Sequence, residues 1–265
     1  MAAGGGAQAA GPQPLDIQVQ PGAFGRVSAA DITAVLQSAA DEVWRYCPDI
    51  HLAGIDVYGR GDHPQTDFRR TARGRIAVGL SAHDAFWTQY SFQFAHEFCH
   101  VLANYSNGRQ PARDPRPANF WLEESLCETA SLFTLEAMAR SWRNDPPYPA
   151  WRSYAPWFQA YVGQRLARRE YHLPAGVAFP DWFRVNEAAL RRNPTMWGRN
   201  TIIATQLLPL FQAGPRGWEA VAFLHRGAPG ANQSLAQYLS GWRSHSPGKL
   251  HPFIERVAAV FGVKL

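Results

Sequence analysis

The segment His96-Glu97-Phe98-Cys99-His100 puts two imidazoles four positions apart with a carboxylate between them. On a helix, at about 100° per residue, positions i and i+4 lie about 40° apart. Both rings can therefore reach one divalent cation such as Zn²⁺, with Glu97 beside them to polarise a bound water. The flanking residues add to this pattern. Phe86, Trp87, Tyr90, Phe94, Phe98, Val101 and Leu102 mark a largely buried helix, whereas Gln93, His96, Glu97, His100 and Asn104 form one polar stripe along it. A buried carboxylate beside two histidines costs several kcal/mol if left unpaired. A cation or a water-filled cleft satisfies the whole stripe.

A second helix supplies a further ligand. In Asn119-Phe-Trp-Leu-Glu-Glu-Ser-Leu-Cys-Glu-Thr-Ala-Ser131, Glu124 and Glu128 share one face, which Ser131 continues. Glu124 would complete a two-His, one-Glu set with an open fourth position. Glu128 would accept the outer N–H of a ligating histidine and fix its tautomer. Glu123 points about 100° away and is expected to face solvent, with a ligand role as the alternative.

His96-Glu97-x-x-His100, followed by Trp121-Leu122-Glu123-Glu124 and Glu128, resembles the gluzincin metallopeptidases, the thermolysin-like and aminopeptidase N-like enzymes. The resemblance covers residues 74–135. It implies one catalytic zinc per chain held by His96, His100 and Glu124, Glu97 as general base and Glu128 as the outer partner of a ligand. It further implies a peptide or protein substrate and a minimal thermolysin-like architecture. Two departures stand out. The G-x-M-E-N segment that holds a substrate amine in the aminopeptidases is replaced by Gly74-Arg-Ile-Ala-Val-Gly-Leu-Ser81. Where these enzymes place an oxyanion-stabilising Tyr or His, this chain reads Trp197-Gly198-Arg199-Asn200, so Arg199 is the candidate donor, with Tyr154, Tyr161, Tyr171, His172 and His225 as substitutes.

Two other readings use the same residues. Two histidines and a carboxylate with open positions also suit the Fe(II) of a non-haem oxygenase. A non-catalytic binding module stabilised by its metal would need the ligands alone. Nucleophilic chemistry lacks a G-x-S-x-G elbow, and phosphate chemistry lacks a Gly-rich loop ending in Lys-Ser/Thr. Cys99 and Cys127 flank the proposed site, either as a bracing disulfide in an oxidising compartment or as two small buried hydrophobes.

The chain that must position these groups has 265 residues, 46% of them hydrophobic, enough for a substantial core. No run of about 18 to 20 apolar residues offers a membrane span. The net charge of +5 comes almost wholly from arginines spread along the chain, without the basic stripe of a nucleic-acid surface. Residues 1–14 read as a flexible lead without the charged and apolar regions of a signal peptide. That lead, rich in Ala, Gly and Pro, with a gluzincin-like site, fits a secreted or periplasmic protein, a cytoplasmic one being the alternative.

Strands are expected over residues 15–20, 50–58 and 75–81, and a helix from Ser28 to Cys47. The segment between the last two strands is polar and reads as a connection. Helices are expected over 84–105, 119–142, 154–171, 181–192, 199–213, 217–226, 233–242 and 251–262. Three prolines make 106–118 a surface loop. The expected fold is α+β: a small N-terminal sheet packed on the H-E-x-x-H helix, then a mainly helical half. Asp145-Pro-Pro-Tyr-Pro149 divides a metal-site subdomain, 15–145, from a helical one, 146–265.

Overall fold

The structure, a computed structural model, describes residues 13–109, 117–227 and 230–265. The fold is α+β, with a small sheet near the N-terminus followed by helices. Strands β1 (Ile17–Val19), β2 (Ile55–Gly59), β3 (Gln65–Arg70) and β4 (Ile76–Leu80) form one sheet of order β1-β2-β4-β3. β1, β2 and β4 run parallel, with Ile17 opposite Ile55 and Ile55 opposite Ile76. β3 runs antiparallel to β4 and closes the edge.

β4 is buried along its whole length, as a central strand of Ile-Ala-Val-Gly-Leu should be. β3 is the one strand the sequence pattern misses, in the stretch expected to be a polar connection. Its residues Gln-Thr-Asp-Phe-Arg-Arg bury only Thr66, so no apolar alternation marks it. The hairpin that makes it turns at Thr71 to Gly74, where Gly74 takes φ +75°.

Helix α1 (Ala29–Trp44) starts at Ser28, whose hydroxyl accepts from the Asp31 backbone N–H, and its apolar face of Ile32, Val35, Leu36 and Val43 joins the core. Helix α2 (Trp87–Tyr105) packs against β3 and β4. Gln93 fixes its position by accepting the backbone N–H groups of Ser81 and Ala82 at 3.0 and 3.1 Å.

Helix α3 (Phe120–Ser141) is the centre of the molecule, packed on α1, α2, α4 (Ala155–Leu166) and α6 (Trp197–Ala213). Every residue from Trp121 to Leu135 is buried. Such a helix has no solvent face, so each of its carboxylates must find a partner inside the protein. Helices α5 (Phe179–Arg192), α7 (Trp218–Val221), α8 (Leu235–Ser244) and α9 (His251–Val260) complete the chain. The helix expected over 217–226 is shorter, because after α7 the chain turns through 222–227. That over 154–171 gives way after Leu166 to a separate turn at Arg169–Tyr171. The buried apolar side chains, from Leu15 to Phe261, form one continuous cluster. Most of the expected loop at 106–118 lies outside the described residues. Among the described residues no helix is long and apolar enough to cross a membrane.

Candidate metal centre

The polar stripe of α2 lines a cavity of about 570 Å³. Gln93, His96, Glu97, His100 and Asn104 form one wall, residues 63–68 at and just before the start of β3 a second, and Phe120, Glu123, Glu124 and Glu128 of α3 a third. Tyr161 and Arg165 of α4 and Trp197 of α6 also face it. The strand that the sequence concealed is thus a wall of the cavity.

The two rings converge on Glu124. His96 Nε2 lies 3.5 Å from one carboxylate oxygen and His100 Nε2 lies 3.7 Å from the other. Ligands placed tetrahedrally at ordinary Zn–N and Zn–O lengths stand about 3.4 Å apart, close to each of these two separations. Cys127 offers a further donor: its sulfur lies within 4.8 Å of a ligating atom of each histidine. It is a fully buried free thiol, and burial together with neighbouring Cys99 pushes its pKa well up in the metal-free protein. Cys47 and Cys99 are also free thiols.

Glu97 projects into the same cavity, one residue from His96, and its carboxylate accepts the Thr66 hydroxyl at 2.9 Å. Thr66, the buried position of β3, therefore connects the edge strand to the proposed base.

The carboxylate that pairs with the outer nitrogen of His100 is Glu123, not Glu128 as the spacing predicts. Glu123, expected at the surface, is only 1% exposed and accepts His100 Nδ1 at 2.7 Å and Asn104 Nδ2 at 2.6 Å. Its other oxygen meets His225 Nε2 at 2.6 Å. With Nδ1–H given to Glu123, His100 keeps its Nε2 lone pair for a cation. Glu128, expected in that place, instead faces Arg165 at 2.8 Å and accepts the Thr201 hydroxyl at 3.0 Å. The wheel puts Glu128 on the Glu124 face correctly, but one helical turn further along that face comes α4 and α6 rather than α2. Ser131, the next turn, reaches back to α2 and donates to the Phe92 carbonyl.

The electrostatics reflect a concentration of carboxylates. Burial opposes protonation of His100, but the Glu123 hydrogen bond and the charges of Glu123, Glu124 and Glu97 outweigh it and hold its pKa well above the ordinary value. Glu123 and Glu124 are driven the other way. Burial would raise both, yet His225 and His100 keep Glu123 below the usual carboxylate range, and His100 and His96 do the same for Glu124. A cluster that draws protons onto an imidazole is one that a divalent cation can occupy in their place.

Arg199 does not reach this cavity. Its guanidinium is held by Asn186 and by Met196 in a neighbouring cleft, which it shares with His172. Of the substitutes, Tyr154 is tied to the α2 N-terminus by accepting the Thr88 N–H, Tyr171 is buried beneath Arg165, and His225 sits behind Glu123. Tyr161 alone among them lines the cavity, its phenol pKa raised by burial. Arg165, unremarkable in sequence, stacks over Phe92 at 4.5 Å beside it.

Neither family models nor curated proteins nor solved structures provide a match for the chain.

Proposed function

We propose that this protein is a zinc-dependent peptidase of gluzincin type with a minimal thermolysin-like architecture, in which His96, His100 and Glu124 hold the metal. The observation that carries the reading is the convergence of both Nε2 atoms on the Glu124 carboxylate, at 3.5 and 3.7 Å, inside a cavity that also receives Glu97. When bound, zinc would polarise the scissile carbonyl and acidify a water. Glu97 would take the proton from the attacking water and deliver it to the leaving amine. Thr66 would hold the Glu97 carboxylate in place from β3. As the sheet edge that borders the cavity, β3 would pair with the backbone of an extended peptide. Tyr161 and Arg165 would face the substrate from α4. Phe68, Phe92, Phe120 and Trp197 give the cavity an aromatic lining suited to bulky side chains.

Metal content measured by mass spectrometry on protein purified without added metal tests the ligand set. About one zinc per chain is expected in wild type and in Cys127→Ser, and far less in Glu124→Ala. Zinc lost from Cys127→Ser and kept by Glu124→Ala would make the third ligand the thiol, and iron in place of zinc would favour oxygenase chemistry. Hydrolysis of a peptide library by wild type but not by zinc-loaded Glu97→Gln then tests the reaction. Retained turnover in that variant refutes the role of Glu97.

A further inference from the structure

Behind the cavity a chain of buried polar groups runs from His100 into the C-terminal half of the molecule. Glu123 Oε1 accepts His100 Nδ1, Glu123 Oε2 faces His225 Nε2 at 2.6 Å, and His225 Nδ1 lies 3.2 Å from the Tyr238 hydroxyl. Glu123, His225 and Tyr238 are 1%, 4% and 2% exposed, so water does not compete for these bonds. His225 sits in the turn after α7 and Tyr238 on α8, more than 100 residues along the chain from Glu123. That frame is tight. A Cβ on Gly227 would come within 3.0 Å of the Gly241 backbone, and Trp242 donates to the Ala220 carbonyl at 2.8 Å.

We infer that His225 and Tyr238 are positioning residues for the metal site, acting through Glu123 to fix the orientation and tautomer of His100. The inference rests on the reading of His96, His100 and Glu124 as metal ligands. The protons of the chain can all be placed in one sense. Tyr238 donates to His225 Nδ1, which puts the His225 proton on Nε2, where it is given to Glu123 Oε2. With Oε2 so engaged, Oε1 stays directed at His100 Nδ1–H, and the Nε2 lone pair of His100 is turned toward the cavity. Without His225, the carboxylate can swing either oxygen toward its remaining donors, and the ring it orients loses its fixed rest position.

The test uses the full chain as wild type, His225→Phe, His225→Gln and Tyr238→Phe. Zinc affinity is measured by competition with a chromogenic chelator, and Tm is measured on the metal-free proteins. Loss of an outer partner of a ligand typically weakens metal binding about 10- to 100-fold. His225 acts one bond further out than Glu123, so a weakening at the lower end, about tenfold, is expected in His225→Phe, with a smaller one in Tyr238→Phe. His225→Gln, whose amide can still donate to Glu123, is expected within a few-fold of wild type. Should His225→Phe fail to fold, weakened binding in Tyr238→Phe with near-normal binding in His225→Gln carries the inference. A lower Tm with unchanged zinc affinity in the phenylalanine variants would make both residues merely structural and overturn it. Zinc binding by wild type that is lost in Glu124→Ala but untouched in His225→Phe and Tyr238→Phe refutes this inference alone. A wild type that binds no zinc refutes the metal reading and this one together.

Discussion

Replacement of Arg165 by methionine examines whether Glu128 belongs to the proposed metal site or to the core. The Glu128 side chain is 7% exposed and that of Arg165 is 18% exposed. Two guanidinium nitrogens reach the same carboxylate oxygen at 2.8 Å, and the Thr201 hydroxyl joins them at 3.0 Å. Removing the guanidinium leaves an anion on the central helix with one neutral donor. Breaking a buried pair in this way costs about 3–5 kcal/mol, and the residual exposure of Arg165 places this case toward the lower value. For a chain of this size that corresponds to a fall in Tm of roughly 6–12 °C. Methionine keeps the apolar stem but gives up the guanidinium stacking over Phe92, a loss that is the same with Glu128 or its glutamine replacement opposite and so drops out of the coupling energy. Adding Glu128→Gln removes the stranded charge, so the double variant is expected to recover most of the loss. The assay is a double-mutant cycle by thermal denaturation of metal-free protein, with zinc content measured on all four proteins. Zinc content is expected to stay near that of wild type throughout. Loss of zinc from Glu128→Gln, or a stability change in Arg165→Met below about 1 kcal/mol, would refute the assignment of Glu128 to Arg165.

Zinc affinity is expected to rise with pH. A metal-free His100 whose pKa is held above the ordinary 6.5 binds a proton that the cation must displace, so affinity should climb by about tenfold per pH unit through and beyond 6.5, then level off above the pKa of His100. A flat profile between pH 6.5 and 8 by chelator competition would contradict that electrostatic picture. Thr66→Val removes the hydroxyl that meets Glu97 while keeping side-chain volume close to that of threonine. A hydrogen bond to a charged group contributes about 1.5–3 kcal/mol, so turnover of a cleaved peptide should fall by about tenfold or more with zinc affinity unchanged. Equal turnover in the two proteins would separate β3 from the chemistry.

Much of this arrangement is readable from residue spacing, and the failures have a common cause. The α2 stripe is legible because one helix carries both its apolar faces and its polar one, so local periodicity contains the information. The polar residues Gln93, His96, Glu97, His100 and Asn104 all line the cavity. α3 is different. A wheel places Glu123 about 100° from Glu124, and a surface position follows only if the helix has a surface. Trp121, Leu122, Leu132 and Leu135 cover one half of that helix, and Ala130, Cys127 and Met138 lie on the Glu123 side, a sign that no face is free. β3 carries no period-2 pattern because only one of its side chains is buried, and that one is a threonine. His225, Tyr238 and Arg165 are supplied by elements distant in sequence, and no local pattern singles them out. Arg199, by contrast, follows from a resemblance alone, and the hydrogen bond from its guanidinium to Asn186 of α5 holds it in the neighbouring cleft.

The burial of α3 on every face has a consequence for how the cavity breathes. Backbone amides exchange with solvent through local openings where a helix frays or lifts from its neighbours, and a helix enclosed by α1, α2, α4 and α6 can lift from none of them alone. Its amides should therefore exchange only through global unfolding, among the slowest in the molecule. Glu123, Glu124 and Glu128 ride on that element, so the carboxylate frame of the cavity has the lifetime of the fold itself. Motion that admits or releases a ligand is then expected at the β3 edge and the Trp197 end of α6, where Phe68 and Trp197 are exposed.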